Sequence, residues 1–261
     1  MTLAVDDPLI EGMTIARPLP LHESNRRLRA LYPECPRMYG VAVMADVARR
    51  RWWPLRDALK TDRLALMFAS TAAESANRTA AANQIAATLA HVVVGRVLPL
   101  VMLEGRAWDT GLENLWVHAD SDGTIDWVGV VDPTLRALPD DPFCAGRTVP
   151  AARAARDGMV VLPGEAALIM WTAHRSHRAL RPLFDELARV SKGAVTVAAM
   201  WQAVGAAVIT AATQVPLLSG TGEFTSMRRA QAVLDALAGF GLPVRQAGRG
   251  WRPLGAWSQT A

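Results

Sequence analysis

The chain has 261 residues, 51% of them hydrophobic, and a formal net charge of +4. That balance excludes a disordered chain and allows one sizeable core with at most a subordinate lobe. The positive charge is almost all arginine, with Lys60 and Lys192 the only lysines and no long basic block, so no nucleic-acid partner is expected.

Cys35 and Cys144 lie too far apart for a clustered metal site and are too few for a secreted disulfide scaffold. They read as thiols in a reducing cytoplasm. Met1 to Asp7 has neither the basic nor the apolar part of a signal peptide. The arginine-for-lysine bias is that of a GC-rich bacterial coding sequence. Nothing in the composition speaks to oligomeric state.

Residues 1–39 read as an irregular lead, with Ser24 capping a short helix through Leu31 and with Pro33 and Pro36 breaking the chain. Residues 40–261 read as a single domain. Gly40 to Arg51 is expected as a helix and Trp52 to Lys60 as another. Arg49-Arg50-Arg51 ahead of Trp52-Trp53 fits snorkelling arginines at a helix end, or a phosphate and base-stacking platform. Asp62 to Glu74 has helical spacing through Leu64, Leu66 and Met67. Asn77 to Leu103 is the longest periodic run, with Ala80, Ile85, Leu89, Val92 and Val93 in phase and Pro99 kinking or ending it.

The period then changes. Leu115 to Ala119 alternates, Asp120-Ser121-Asp122-Gly123 is turn chemistry, and Thr124 to Val131 is β-rich, which predicts a hairpin. Residues 133–158 are loop-like and could mark a lobe boundary; Met159 to Leu162 reads as a short strand. Helices follow over Gly164–Val190, with Pro182 as a kink, over Val195–Gln214, and over Glu223–Phe240 with Met227, Ala230, Val233, Leu234 and Leu237 inward. Gly193 to Gly222 is uncharged and long enough to cross a bilayer. Its Ala, Val, Thr and Gly content, with Gln202, Gln214 and Pro216, argues for a buried central helix and no membrane span. The expected fold class is α+β, mainly helical, with a small antiparallel sheet built around the hairpin.

Three stretches carry a family resemblance. From Gln84 a long apolar helix runs to Arg96, Leu98 and Pro99, then Gly105 to Val117 leads through Leu112-Glu113-Asn114-Leu115-Trp116 into the hairpin. His177 to Leu183 follows with its Arg-Pro-Leu step, and then Val190-Ser191 through Trp201. Over roughly residues 40–240 this resembles the ferric-siderophore reductase (FhuF-type) family. The resemblance implies a cytoplasmic scaffold with a siderophore-like small-molecule ligand. Family reductases end in a cysteine segment holding a two-iron cluster. Here Gly241 to Ala261 has no cysteine, so no 2Fe-2S cluster is expected. The expectation is a scaffold repurposed to bind or transform a small molecule in siderophore or specialised metabolism. The alternative is a reductase using haem or iron and another electron donor.

Asp109, Asn114 and Asp132 also match the spacing of a kinase base and two metal ligands, which would imply a kinase-like Mg-ATP phosphotransferase or an adenylating enzyme. No Gly-rich phosphate loop accompanies them, and Asn114 could simply cap a loop. His174 and His177 share a helix face. They could act in acid–base chemistry, or bind iron or zinc with a third ligand such as Asp132, His118 or His91. No metal site is assigned. Arg175, Arg178 and Arg181 flanking them suit an anionic ligand lying across the helix, or a solvated face. Of nine tryptophans, Trp116 and Trp251 are the best candidates for an aromatic wall, and core packing accounts for most of the rest. The candidate catalytic residues are His177, Asp132 and Asp109. The candidate ligand-binding residues are Asn114, Trp116, His174, Arg178, Arg181 and Trp251, with Asn114, Trp116 and His177 expected to touch one closed aromatic cavity.

Overall fold

The computed structural model describes residues 9, 12–15, 17–144, 158–220 and 222–245. The fold is mainly helical α+β.

Helix α1 (Pro20–Leu31) begins before the expected cap. Pro20 supplies the fixed first-turn geometry, and the Leu19 amide donates to His22 Nδ1 at 2.9 Å. Ser24 therefore lies inside the helix, its hydroxyl donating to Glu104 Oε2 at 2.7 Å. Leu21, Leu28 and Leu31 are buried, so this part of the lead belongs to the core.

The two helices expected over 40–60 are strands β1 (Ala42–Val43) and β2 (Trp52–Pro54), followed by a 3-10 turn at Leu55–Leu59. Val41, Ala42, Val43 and Met44 are all buried, which leaves no polar face for a surface helix. In β2 successive side chains point to opposite faces. Trp53 enters the main core, and Trp52 joins a separate cluster with Ala42, Met44 and Trp127.

Strands β3 (Leu115–Ala119) and β4 (Ile125–Val130) form the expected hairpin. Asp120 Oδ1 accepts from the amides of Asp122 and Thr124, each at 2.9 Å, and Gly123 supplies the positive φ. The sheet order is β1-β4-β3-β2. The expected antiparallel sheet is in fact mixed, because β1 lies parallel to β4 with Ala42 opposite Gly129. Within the region read as a lobe boundary, β5 (Leu135–Ala137) pairs in parallel with β6 (Met159–Val161).

Helix α2 (Arg63–Ser75) matches its expectation. The long run that follows is α3 (Arg78–Ala90), a π turn at His91–Gly95, and α4 (Val97–Glu104). Asn77 Oδ1 caps α3 by accepting from Thr79 and Ala80, each at 3.0 Å. Pro99 does not end the run; it lies in the first turn of α4, where no amide is needed. Helices α5 (Glu165–Val190), α6 (Val197–Ser219) and α7 (Glu223–Gly239) complete the described fold. Met227 on α7 is 44% exposed, so it does not face inward as expected.

Helix α6 packs against α3, α4, the π turn and α7. Two segments, Arg78–Glu104 and Val197–Ser219, are long and apolar enough to cross a membrane by length and composition. The most apolar 18-residue stretch is 83% buried in the first and 39% buried in the second, so α6 is central but covered on one side only, rather than wholly buried.

Candidate functional site

Helix α5 buries Leu168, Ile169, Ala173, Leu180, Leu183 and Phe184. That stripe fixes its rotation and leaves His174, Arg178 and Arg181 exposed, with His177 half-buried beside them. Phe240, just past α7, stacks on His177 with ring centroids 5.4 Å apart and planes 19° from parallel. Trp201 of α6 meets the same imidazole edge-on at 5.7 Å, and Phe184 supports Trp201 at 5.1 Å. His174 touches Phe240 edge-on at 6.0 Å.

The chain beyond Phe240 is held on α6 at Gly205, where any side chain would collide with the Val244 carbonyl. Burial pushes the His177 imidazole below its ordinary pKa, and the nearby charges of Arg181 and His174 push it further. It is therefore neutral at pH 7, able to donate one hydrogen bond and accept another. Arg178 and Arg181 make no ion pair or hydrogen bond among the described residues.

The kinase-like spacing has a structural explanation. Asn114 Nδ2 donates to the carbonyls of Asp109 (2.9 Å) and Asp132 (3.2 Å), while its Oδ1 accepts from the amides of Val131 (3.0 Å) and Asp132 (2.6 Å). All four positions of the amide are occupied by backbone, so none is left for a metal. Asp109 Oδ1 accepts from Gly111 N at 2.8 Å and from Arg175 Nε at 2.6 Å, and Arg175 also pairs with Glu113. The Thr110 hydroxyl meets that of Ser176 at 3.1 Å. Asp132 Oδ1 accepts from Thr134 N at 3.0 Å. These residues tie the loop before β3 to the end of β4 and to α5.

Trp116 is not part of the α5 face. It stands on the opposite side of the sheet from Leu115 and Val117, packed against the Ala42, Met44, Trp52 and Trp127 cluster, with the Arg49 guanidinium 5.3 Å from its ring centre. Asn114, Trp116 and His177 thus do not line one cavity. Trp251 lies outside the described residues. Among the described residues, no group of three or more His, Cys, Asp or Glu side chains could hold a metal ion.

One constellation was not legible in the sequence. His118 on β3 lies opposite Trp127, but its neighbour Ala119 lies opposite Ile125, which leaves Asp126 as the extra residue of a β-bulge. In a regular ladder Asp126 would point to the other face from Trp127 and His118. The bulge turns its carboxylate back, so that Asp126 Oδ1 lies 2.7 Å from His118 Nδ1. Arg37 donates to the other oxygen at 2.7 Å, and the buried Arg96 donates to the Asp126 carbonyl at 2.8 Å.

A second pair, His22 Nε2 with Asp46 Oδ2 at 2.7 Å, is structural, because His22 Nδ1 is already taken by the Leu19 amide. Comparison of the chain with protein-family models, with curated proteins and with solved structures finds no match.

Proposed function

We propose that the chain is a FhuF-like scaffold without the iron–sulfur cluster, which binds an anionic small molecule on α5 in the cytoplasm. The observation that carries this reading is a neutral, half-exposed His177 held between Phe240 and Trp201, beside two exposed guanidinium groups that make no hydrogen bond or ion pair among the described residues. Arg178 and Arg181 offer planar donors that match carboxylate or hydroxamate oxygens. Phe240 offers an apolar ring to the body of the ligand, and the buried Trp201 backs His177 from the core side. His177 can take a proton from a bound group or return one. A ferric siderophore or its metal-free precursor has this chemistry, which suits a role in siderophore or specialised metabolism.

The test is calorimetric titration with ferric citrate and with a ferric trihydroxamate. Saturable binding of at least one is expected. It should weaken at least about tenfold, or about 1.4 kcal/mol, in His177→Ala and in the combined Arg178→Gln and Arg181→Gln variant. Equal binding by wild type and variants, or no binding of either complex, would sink the proposal.

A further inference from the structure

Most of the polar network around the sheet is closed, with donors and acceptors matched. The imidazole of His118 is different. Its Nδ1 is fixed by Asp126, while its Nε2 makes no hydrogen bond among the described residues. Nor is that atom one of the side-chain nitrogens sealed from solvent without a partner, and 11% of the side chain stays open. The contrast with His22, whose two nitrogens are both engaged, is the contrast between a structural histidine and one with a working end.

Asp126 receives unusual support for a single carboxylate. Its backbone is bulged so that the side chain reaches His118, Arg37 holds the second oxygen, and Arg96 holds the carbonyl. Bulges re-aim side chains in this way at functional sites. A carboxylate on Nδ1 fixes the tautomer with the proton on Nδ1 and leaves a basic lone pair on Nε2.

The surroundings suit a particular ligand. Trp52 lies directly across from His118 in the strand register, its ring 5.4 Å from the imidazole, and backs it from the buried side. The carbonyl of Arg51 accepts from Ala119 N at 3.2 Å, which brings the arginine triplet to the end of the same strand. Arg49, Arg50 and Arg51 are all exposed, and Arg49 rests over Trp116.

We infer that His118 and Asp126 form a proton-transfer site in which His118 is the general base, Asp126 is its positioning residue, and the ligand is an anionic molecule steered by the arginine triplet. The site shares no residue with the α5 face.

A neutral probe, 5-nitrobenzisoxazole, tests the base without knowledge of the natural ligand. Nε2 takes the proton from the C–H carbon as the ring N–O bond breaks. This gives 2-cyano-4-nitrophenolate and an imidazolium, which returns its proton to water. The full chain should perform this elimination at least about tenfold faster than His118→Gln, with Asp126→Asn equally impaired and His22→Gln at the wild-type rate. Nitrogen-15 imidazole shifts give a second readout that needs no substrate. They should show His118 protonated on Nδ1 in the wild type and on Nε2 in Asp126→Asn. Equal rates for wild type and His118→Gln, or a wild-type His118 protonated on Nε2, would overturn the assignment. The anion 4-nitrobenzoate should slow the wild-type reaction and lose that effect in the combined Arg49→Gln and Arg51→Gln variant. Failure to inhibit would overturn the anionic ligand class.

Discussion

Phe240 covers His177 face to face, and the two residues come from elements that meet only in the folded chain, the end of α7 and the middle of α5. Since burial is the largest cause of the depressed His177 pKa, Phe240→Ala should let it climb back toward about 6.5, the value of an unperturbed imidazole. A proton NMR titration of the His177 ring reads this directly. An unchanged midpoint would mean that Phe240 does not shield it.

The chain should lose stability on mild acidification through His91. Burial, then the Arg96 charge, pushes that imidazole down to about 3, and its Nε2 lies 2.9 Å from the Met38 carbonyl. The folded pKa is below the unfolded one, so the unfolded chain takes up the proton first as pH falls. The contribution is complete above about pH 6.5 and drains away toward pH 3, amounting to on the order of 5 kcal/mol. Urea midpoints of wild type and His91→Gln between pH 7 and 5 should converge as the pH drops. Parallel curves would show that His91 does not set the slope.

Asn114 separates a clamp from a metal ligand. A carboxylate at this position suits a cation, but here it would face the carbonyls of Asp109 and Asp132 with no proton to offer. Asn114→Asp should therefore cost about 2–3 kcal/mol at pH 7, and Asn114→Ala a similar amount. Chemical denaturation decides it, and a stable Asn114→Asp protein that gains affinity for Mg²⁺ would contradict the clamp.

Arg106 joins three distant parts of the chain. It binds Asp141 through Nε (2.5 Å) and Nη2 (2.8 Å), and through Nη1 it reaches Glu104 (2.7 Å) and Ser24 (3.1 Å). Both Arg106 and Asp141 are buried, at 2% and 3% exposure. Asp141→Ala would leave Nε and Nη2 of a buried guanidinium without partners, Glu104 still holding Nη1, and should destabilise by about 3 kcal/mol, whereas the combined Arg106→Met and Asp141→Leu variant should recover much of that loss. Thermal melts of the three proteins provide the check.

The long helices and the hairpin were legible because their signals are local. Asp120, Gly123 and the alternation of Leu115 to Ala119 lie within one stretch of chain, and so does the apolar phase of α2, α3 and α5. The segment from Gly40 to Pro54 was not legible. Its strands are two and three residues long, and what makes them strands is β3 and β4, far along the chain. A helix was read from a run whose first part, Gly40 to Met44, is buried on all sides and whose end, Arg49 to Arg51, is exposed.

The candidate site divides in the same way. His174 and His177 were placed together by helical spacing, but Phe240 and Trp201 could not be assigned to them from sequence. The His118–Asp126 pair depends on a bulge, which no residue pattern around Ile125 to Trp127 announces.

The parallel pairing of β1 with β4 also has a consequence for how the molecule is made. During synthesis β1 emerges well before the strand it must join, which is the second arm of the hairpin. Until Val130 has left the ribosome, Val41 and Val43 have no sheet to enter. Closing so long a span is slow compared with forming the helices and the hairpin. The nascent segment around β1 therefore waits with its apolar side chains uncovered until the far arm of the hairpin is made.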